Sequence, residues 1–342
     1  MPDPWNKKRV FVAPIRLSLI GGGTDVEPFS SEEGTKILNF ACSREVRFEI
    51  TQSKSSYDSR KSVTVEIYNN SGVNEGPSTF LSNLESALNG LAGERKGHWV
   101  LRVFSPVPNG SGLGTSSTIV LGSIFAVKTI FGIPFNYPNL IDTAAAVERF
   151  EMKILGGFQD YFPAAYGGFN LIQKSAGEAQ IKREMFRVSH TFQRELETRI
   201  FCFDLQINRR GEAIIQDQVQ RSRDLNGATR IALRHQLDLA ERLTYAISGD
   251  NFEEMLDIID ESFLVKKKFS PLISTPEIDN LESNLRKKGI RGIKVSGAGG
   301  GGHMFCFLPP DFVVSDDNLL NRLKRLEICV NPNGVREVHN GE

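Results

Sequence analysis

The 342-residue sequence carries no surplus of charge: Lys plus Arg number 41 and Asp plus Glu 41, so the formal net charge is zero. A chain without a global field has nothing to draw it to nucleic acid or an anionic membrane, and any anion it binds must be held by local geometry. Cysteine is scarce as well. Cys42, Cys202, Cys306 and Cys329 are widely spaced, form no CxxC pair and lie mostly in apolar runs such as Met304-Phe305-Cys306-Phe307, which argues against a disulfide scaffold or a thiolate metal site and predicts buried free thiols. The polar stretch Met1 to Val10 lacks the apolar core of a secretory signal, so the expected location is cytoplasmic. Ser116 to Phe135 has transmembrane length, but Lys128 sits inside it, Gly132 and Pro134 end it and a glycine-rich loop opens it. It predicts a helix buried in a soluble core. No internal repeat is present, and no Gly-Lys-Ser/Thr, which excludes a solenoid and a Walker A loop.

What remains is ordinary globular material, 40% hydrophobic and 24% charged, long enough for two domains at about 150 residues each. Glycine is the outlier. Its 31 residues are about 9% of the chain against a usual ~7%, and many fall in four clusters: Gly21 to Gly23, Gly110 to Gly114, Gly156/Gly157 with Gly167/Gly168, and Gly297 to Gly302.

Apolar patterning predicts strands over Arg9 to Leu19, within Gly34 to Ile50, and over Lys61 to Tyr68, Trp99 to Phe104, Ile200 to Ile207, Ile290 to Val295 and His303 to Leu308. Helices are expected over Ser82 to Ala92, after the Gly110 cluster, and over Asn139 to Leu155, which carries Glu148 and Glu151. Further helices are expected over Glu212 to Leu225, Ala228 to Ser248, Asn251 to Lys268 and Glu277 to Lys288. The character changes after Lys174, placing a domain boundary near Ser175 to Ser189.

The loop Pro108-Asn109-Gly110-Ser111-Gly112-Leu113-Gly114-Thr115-Ser116-Ser117 is the sharpest chemical feature. Its glycines let consecutive N–H groups converge, and the helix beginning near Thr115 adds its open donors and the positive end of its dipole, which together make a phosphate cradle. An ordinary strand-to-helix turn needs fewer glycines and no run of hydroxyls. Gly297, Gly299 and Gly302 spell G-x-G-x-x-G, yet the following His303 to Leu308 reads as a strand, so a dinucleotide fingerprint is rejected in favour of close backbone approach to a ligand or another loop. Asp160 stands alone in an apolar, glycine-rich segment, where a turn aspartate is the default. Arg16, in an apolar strand, requires a partner such as Asp160 or a phosphate.

In order along the chain, Ala13-Pro14-Ile15-Arg16-Leu17-Ser18-Leu19-Ile20-Gly21-Gly22-Gly23-Thr24-Asp25, Pro108 to Thr118, and Gly297 to Gly302 resemble the three motifs of the GHMP small-molecule kinases. Gly156-Gly157-Phe158-Gln159-Asp160 and Ala164-Ala165-Tyr166-Gly167-Gly168-Phe169-Asn170 are most similar to the heptose 7-phosphate kinase and sugar-1-kinase branch. The resemblance implies a two-domain α+β fold. An N-terminal α/β domain (1–180) would carry the ATP loop and a C-terminal α/β sandwich-like domain (181–342) would complete a cleft between them. It implies ATP on Pro108, Gly110, Ser111, Gly112, Leu113, Gly114, Thr115, Ser116 and Ser117, with Mg²⁺ at Ser116 and Glu148 and Ser117 as rival in the register. It implies catalysis by Asp160 with Arg16 beside it. A sugar or sugar phosphate would be bound by Gly22, Gly23, Thr24, Asp25, Gly157, Arg209, Gly299, Gly300 and Lys267. Four positions depart from the family: Tyr161 replaces Gln, Lys153 a Gly, Phe263 a Trp and Val265 a Ser, all expected toward the substrate side.

The resulting expectation is phosphoryl transfer from ATP to a sugar C1 hydroxyl with Asp160 as base, the sugar being D-glycero-D-manno-heptose 7-phosphate. An unphosphorylated hexose or deoxyhexose is the alternative, and a non-catalytic sensor ranks below both. Lys266 to Lys268 are either a solvated helix face or a grip on a substrate phosphate. A homodimer is an option on which the sequence is silent.

Overall fold

The computed structural model describes residues 8–53, 62–93, 97–207 and 211–339. The first part of the chain runs β1 (Arg9–Ile20), α1 (Phe29–Glu33), β2 (Thr35–Gln52), β3 (Val63–Tyr68), α2 (Thr79–Ala92), β4 (Trp99–Phe104), α3 (Thr115–Ile130) and α4 (Tyr137–Ala146). A π-helical turn (Val147–Glu151), α5 (Tyr161–Tyr166), β5 (Phe169–Lys174) and β6 (Lys182–Met185) follow. The second part runs α6 (His190–Arg199), β7 (Ile200–Asp204), α7 (Gly211–Ser222), α8 (Ala228–Ser248), α9 (Phe252–Lys266) and α10 (Pro276–Arg286). It ends with β8 (Arg291–Val295), β9 (His303–Phe307), β10 (Lys324–Leu326) and β11 (Arg336–Val338).

β1 is buried at almost every position because helices α3 and α5 and helices α8 and α9 all pack against it. A strand covered on both faces reads as a continuous apolar run, which is how its sequence looks. β2 lies antiparallel to β1. Its first residues, Thr35 to Phe40, also pair with β5, and its last, Arg47 to Gln52, pair with β4. β3 adds in parallel to β4, β6 pairs with β5, and β11 pairs with the other edge of β1. The second sheet has the order β10-β7-β9-β8, all antiparallel, as expected for the strand, glycine loop, strand reading around Gly297.

α3 is buried from Thr115 to Lys128 except at Ser116 and Phe125, and the Lys128 amine donates to Asn139 Oδ1 at 3.2 Å. Among the described residues no helix is long and apolar enough to cross a membrane. Cys42, Cys202 and Cys306 are buried free thiols, whereas Cys329 is exposed. The helix expected from Asn139 to Leu155 stops at Ala146 and widens into the π-helical turn, after which Met152 N–H bonds Val147 O and Ile154 N–H bonds Glu148 O. The change of sheet comes at Ile200 rather than near residue 180. β6 lies past that point and still belongs to the first sheet, and β11 returns to it from the C-terminal end. Both crossings are short segments whose pairing partner is remote in sequence, so local patterning carries no sign of them.

The loop between β1 and α1 is anchored from α7 and α8. Gln218 Nε2 donates to Gly23 O at 2.8 Å. Arg230, 1% exposed, donates to Glu32 Oε2, Glu33 Oε1 and Ser222 O, and Arg234 adds a second contact to Glu33. Hydrogen bonding to Arg234 and Arg230 lowers the Glu33 carboxyl to about 2. Its folded value lies below its unfolded one, so this stabilisation is complete above pH ~4.5 and is lost as pH falls toward 2. Replacing Arg230 with Met is expected to destabilise the protein by about 1–3 kcal/mol at neutral pH. Part of the cost of the unpaired glutamates is screened by water. Urea melts of wild type and Arg230→Met should differ most at pH 6–7 and converge between pH 5 and 2.

Candidate active site

Gly110, Gly112 and Gly114 alternate through the loop before α3 at φ 76°, 80° and 74°, a left-handed conformation that side chains rarely tolerate. No side chain caps the N-terminus of α3, so its first-turn N–H groups remain available to an anion in the cleft. The loop is braced from the second sheet. Ser111 O accepts from His303 N–H at 2.9 Å and lies 3.1 Å from His303 Nδ1, and Ser296 Oγ donates to Gly112 O at 2.9 Å. The Gly297 cluster therefore approaches the Gly112 loop backbone to backbone; a Cβ on Gly302 would lie 2.6 Å from Ser111 O.

Arg16 sits where β1 shifts register against β2 between Pro14 and Arg16, a bulge that re-aims the strand beside the loop. Its Nε donates to Asp160 Oδ1 at 2.8 Å and its Nη1 to Gly112 O at 2.5 Å, while its backbone N–H bonds Leu113 O at 2.9 Å. The Arg16 side chain is 4% exposed and that of Asp160 23%, so the guanidinium is locked and the carboxylate keeps one side open to the cleft. The two residues, 144 positions apart in sequence, meet as their chemistry requires.

Asp25, 1% exposed, accepts from Gly23 N–H and Gln159 N–H, each at 3.1 Å. Burial pushes its carboxyl above the ordinary value; the Gln159 amide opposes the rise and the nearby Asp160 charge adds to it. Gly157 lies directly against it, and a Cβ there would fall 1.7 Å from Asp25 Oδ2. Only glycine allows this approach.

Glu148 projects from the π-helical turn, a distortion common at functional sites. Its Oε1 accepts from Ser116 Oγ at 2.8 Å, and its Oε2 from Ser117 Oγ at 2.7 Å and Tyr161 Oη at 2.6 Å. Burial raises its carboxyl above the usual range, against the pull of those three hydroxyls. Hydroxyl and carboxylate oxygens are the donor set that Mg²⁺ prefers, and a cation there would relieve the buried charge, so the residues fit a magnesium site. Ser116 and Ser117 both bond Glu148, and the geometry does not choose between them.

A cleft of about 240 Å³ gathers these groups. Of the residues expected from sequence, Arg16, Gly22, Gly23, Asp25, Gly110, Ser111, Gly112, Gly114, Thr115, Ser116, Ser117, Glu148, Gly157 and Asp160 line it. Pro108, Leu113, Thr24, Gly299 and Gly300 do not. Leu113 is core, Thr24 bonds Gly21 O and Thr35 beneath the loop, and Gly299 and Gly300 pack on Ile273, Leu272 and Ile214. Lys267 is also outside, held by Asp279 at 2.6 Å and Glu282 at 2.5 Å over the Phe263 ring. Its neighbour Lys266 lines the cleft instead and donates to Val295 O and Gly297 O. Helical phase carries that choice, since Ile259, Ser262 and Lys266 share the buried face of α9. Arg209 falls outside the described residues. Among the four departures, Tyr161 alone lines the cleft; Phe263 and Val265 are buried in the core, and Lys153 is exposed at φ 57°. Gln159, whose amide grips Asp25, and Arg149 line the cleft without having been singled out by sequence.

Comparison with known proteins accords with this arrangement. Residues 80–168 match the GHMP kinases N terminal domain and residues 239–316 the GHMP kinases C terminal domain. The chain is 26% identical over 318 residues to D-glycero-alpha-D-manno-heptose 7-phosphate kinase of Campylobacter jejuni, covering 91% of this chain and 92% of that one. It is 23% identical to the L-fucokinase/L-fucose-1-P guanylyltransferase of Bacteroides fragilis, over 86% of this chain and 34% of the relative. The crystal structure of a D-glycero-D-manno-heptose 1-phosphate kinase from Bacteroides thetaiotaomicron shares the fold with a TM-score of 0.74 at 21% identity, covering 98% of this chain and all 100% of that one. With both domains matched in order and the two-domain fold shared over nearly the whole chain, the protein belongs to the GHMP kinases and is an ATP-dependent kinase.

Proposed function

We propose that the protein transfers the γ-phosphoryl group of ATP to the anomeric C1 hydroxyl of a sugar, D-glycero-D-manno-heptose 7-phosphate, with Asp160 as general base. The observation that carries the reading is the Arg16–Asp160 pair, 2.8 Å apart at the edge of the Gly112 loop. Phosphoryl transfer asks the protein mainly for positioning and charge neutralisation. The loop amides and the uncapped N-terminus of α3 hold the phosphates. The locked Arg16 orients Asp160, whose open side accepts the proton of the attacking hydroxyl. Asp25, seated against Gly157, takes sugar hydroxyls. Glu148 with Ser116 or Ser117 would hold magnesium, which would supply neutralisation of phosphate charge. The full-length similarity to a heptose 7-phosphate kinase supports the substrate. A second reading, an unphosphorylated hexose or deoxyhexose, is favoured by one observation: Lys267, the expected phosphate grip, is turned away into an ion pair with Asp279 and Glu282.

Asp160→Asn should lower kcat by about 10²–10⁴-fold while leaving the melting temperature close to wild type. Single-turnover assays across sugars and sugar phosphates check this, and near wild-type turnover in the folded variant would remove Asp160 from the role of base. Gly157→Ala forces Asp25 aside, so KM for the sugar should rise at least ~10-fold with KM for ATP little changed. An unchanged KM for the sugar would place sugar binding away from Asp25.

A further inference from the structure

Among the described residues lining the cleft, one cation has hydrogen-bonding capacity that is largely unspent. Arg16 is committed to Asp160 and Gly112 O, and Lys266 to Val295 O and Gly297 O. Arg149, which follows Glu148 in the π-helical turn, lies flat on Phe158 with its guanidinium carbon 3.5 Å from the ring centroid. Its Nη2 makes one long bond, 3.3 Å, to Gly156 O, and its Nε is buried with no partner. No carboxylate lies within ion-pair distance of it among the described residues. The ring covers one face of the guanidinium, and Nη1 makes no hydrogen bond among the described residues, which leaves a charged donor suited to a phosphate. Its position is on the sugar side. Gly156 and Phe158 flank Gly157, which presses on Asp25, whereas the nucleotide loop runs from Gly110 to Ser117.

We infer that Arg149, braced on Phe158, grips the phosphate that the sugar substrate already carries and so selects phosphorylated over unphosphorylated sugar. This deepens the proposed function and rests on it. Arg149 takes the part expected of Lys267, and it removes the one observation that favoured an unphosphorylated substrate.

Wild type, R149Q and R149K are compared on D-glycero-D-manno-heptose 7-phosphate, on the unphosphorylated heptose as substrate or competitor, and across an ATP titration, with thermal melts to confirm folding. Loss of a charge-assisted contact should raise KM for the 7-phosphate about 10- to 100-fold in R149Q, with partial recovery in R149K. The constants for the unphosphorylated heptose and for ATP should stay within about twofold, since neither would use this contact. A wild-type KM for the 7-phosphate in folded R149Q overturns the inference and leaves the substrate reading standing. A rise in KM for ATP alone also overturns it and gives the arginine to the nucleotide. Wild-type enzyme that handles the heptose and its 7-phosphate equally well, or neither, rejects the substrate reading itself.

Discussion

The carbonyl of Gly112 is the point on which the site depends. It accepts from Arg16 Nη1 and from Ser296 Oγ, and so joins β1, the loop before α3 and the end of β8 through one oxygen atom. The same guanidinium holds Asp160, which means that the shape of the glycine loop and the position of the carboxylate are tied to one side chain. Glycine at 112 and 114 makes this possible: the loop turns tightly enough to present its carbonyl to the strand behind it, and a Cβ on Gly114 would press on Arg16 at 3.0 Å and on Asp160 at 3.3 Å. Of the two bonds to this oxygen the one from Arg16 comes from a charged group and contributes about 1.5–3 kcal/mol, which helps hold the loop in a conformation that its glycines tolerate.

Electrical neutrality over the whole chain coexists with a local gathering of basic side chains, Arg16, Lys266 and Lys294. Lys294 is 2% exposed and donates to Leu19 O at 2.8 Å; burial, and then the charges of Lys266 and Arg16, push its amine well below the ordinary lysine range. An anion bound in the cleft beside Arg16 and Lys266, as the proposed function requires, would offset part of the cost of placing these groups together. The acidic residues of the same cleft are treated in the opposite way. Asp25 and Glu148 are buried and raised, and both are satisfied by hydrogen bonds from amides or hydroxyls, not by the cations. Under the proposed function, keeping the two sets apart would leave the positive groups for phosphate and the carboxylates for hydroxyls and metal.

Much of this was legible in the sequence because the loops are encoded by residue type at fixed spacing. The glycine clusters, the isolated Asp160 and the buried Arg16 announce themselves by violating the pattern around them, and the family resemblance orders them along the chain. Less legible were choices between neighbours. Lys266 and Lys267 are chemically alike, and only helical phase separates the one that reaches the cleft from the one paired with Asp279 and Glu282. Ser116 and Ser117 stay equivalent even with coordinates, since each bonds one oxygen of Glu148. Not legible at all were β6 and β11, whose places depend on pairing with β5 and β1, and the π-helical turn, whose sequence continues the helical pattern of α4.

The departures from the family separate by the same physical test. Phe263 and Val265 fill the core, so their identity answers to packing and says little about the sugar. Lys153 adopts φ 57°, the backbone of the glycine it replaces, at a conformational cost of order 1 kcal/mol. Tyr161 is different. Its hydroxyl gives Glu148 a third hydrogen bond, and it is the residue next to Asp160, so one residue is the hydrogen-bond partner of the carboxylate proposed for the metal and the chain neighbour of the one proposed as base. A glutamine at this position would offer an amide of different reach in place of the phenol hydroxyl that Glu148 now accepts from. The substitution therefore bears on how rigidly the two carboxylates are spaced, which under the proposed function is a property of the phosphoryl-transfer end of the cleft. Under the proposed function, recognition of the sugar would then fall to Asp25, Gly157 and the segment between Glu148 and Asp160.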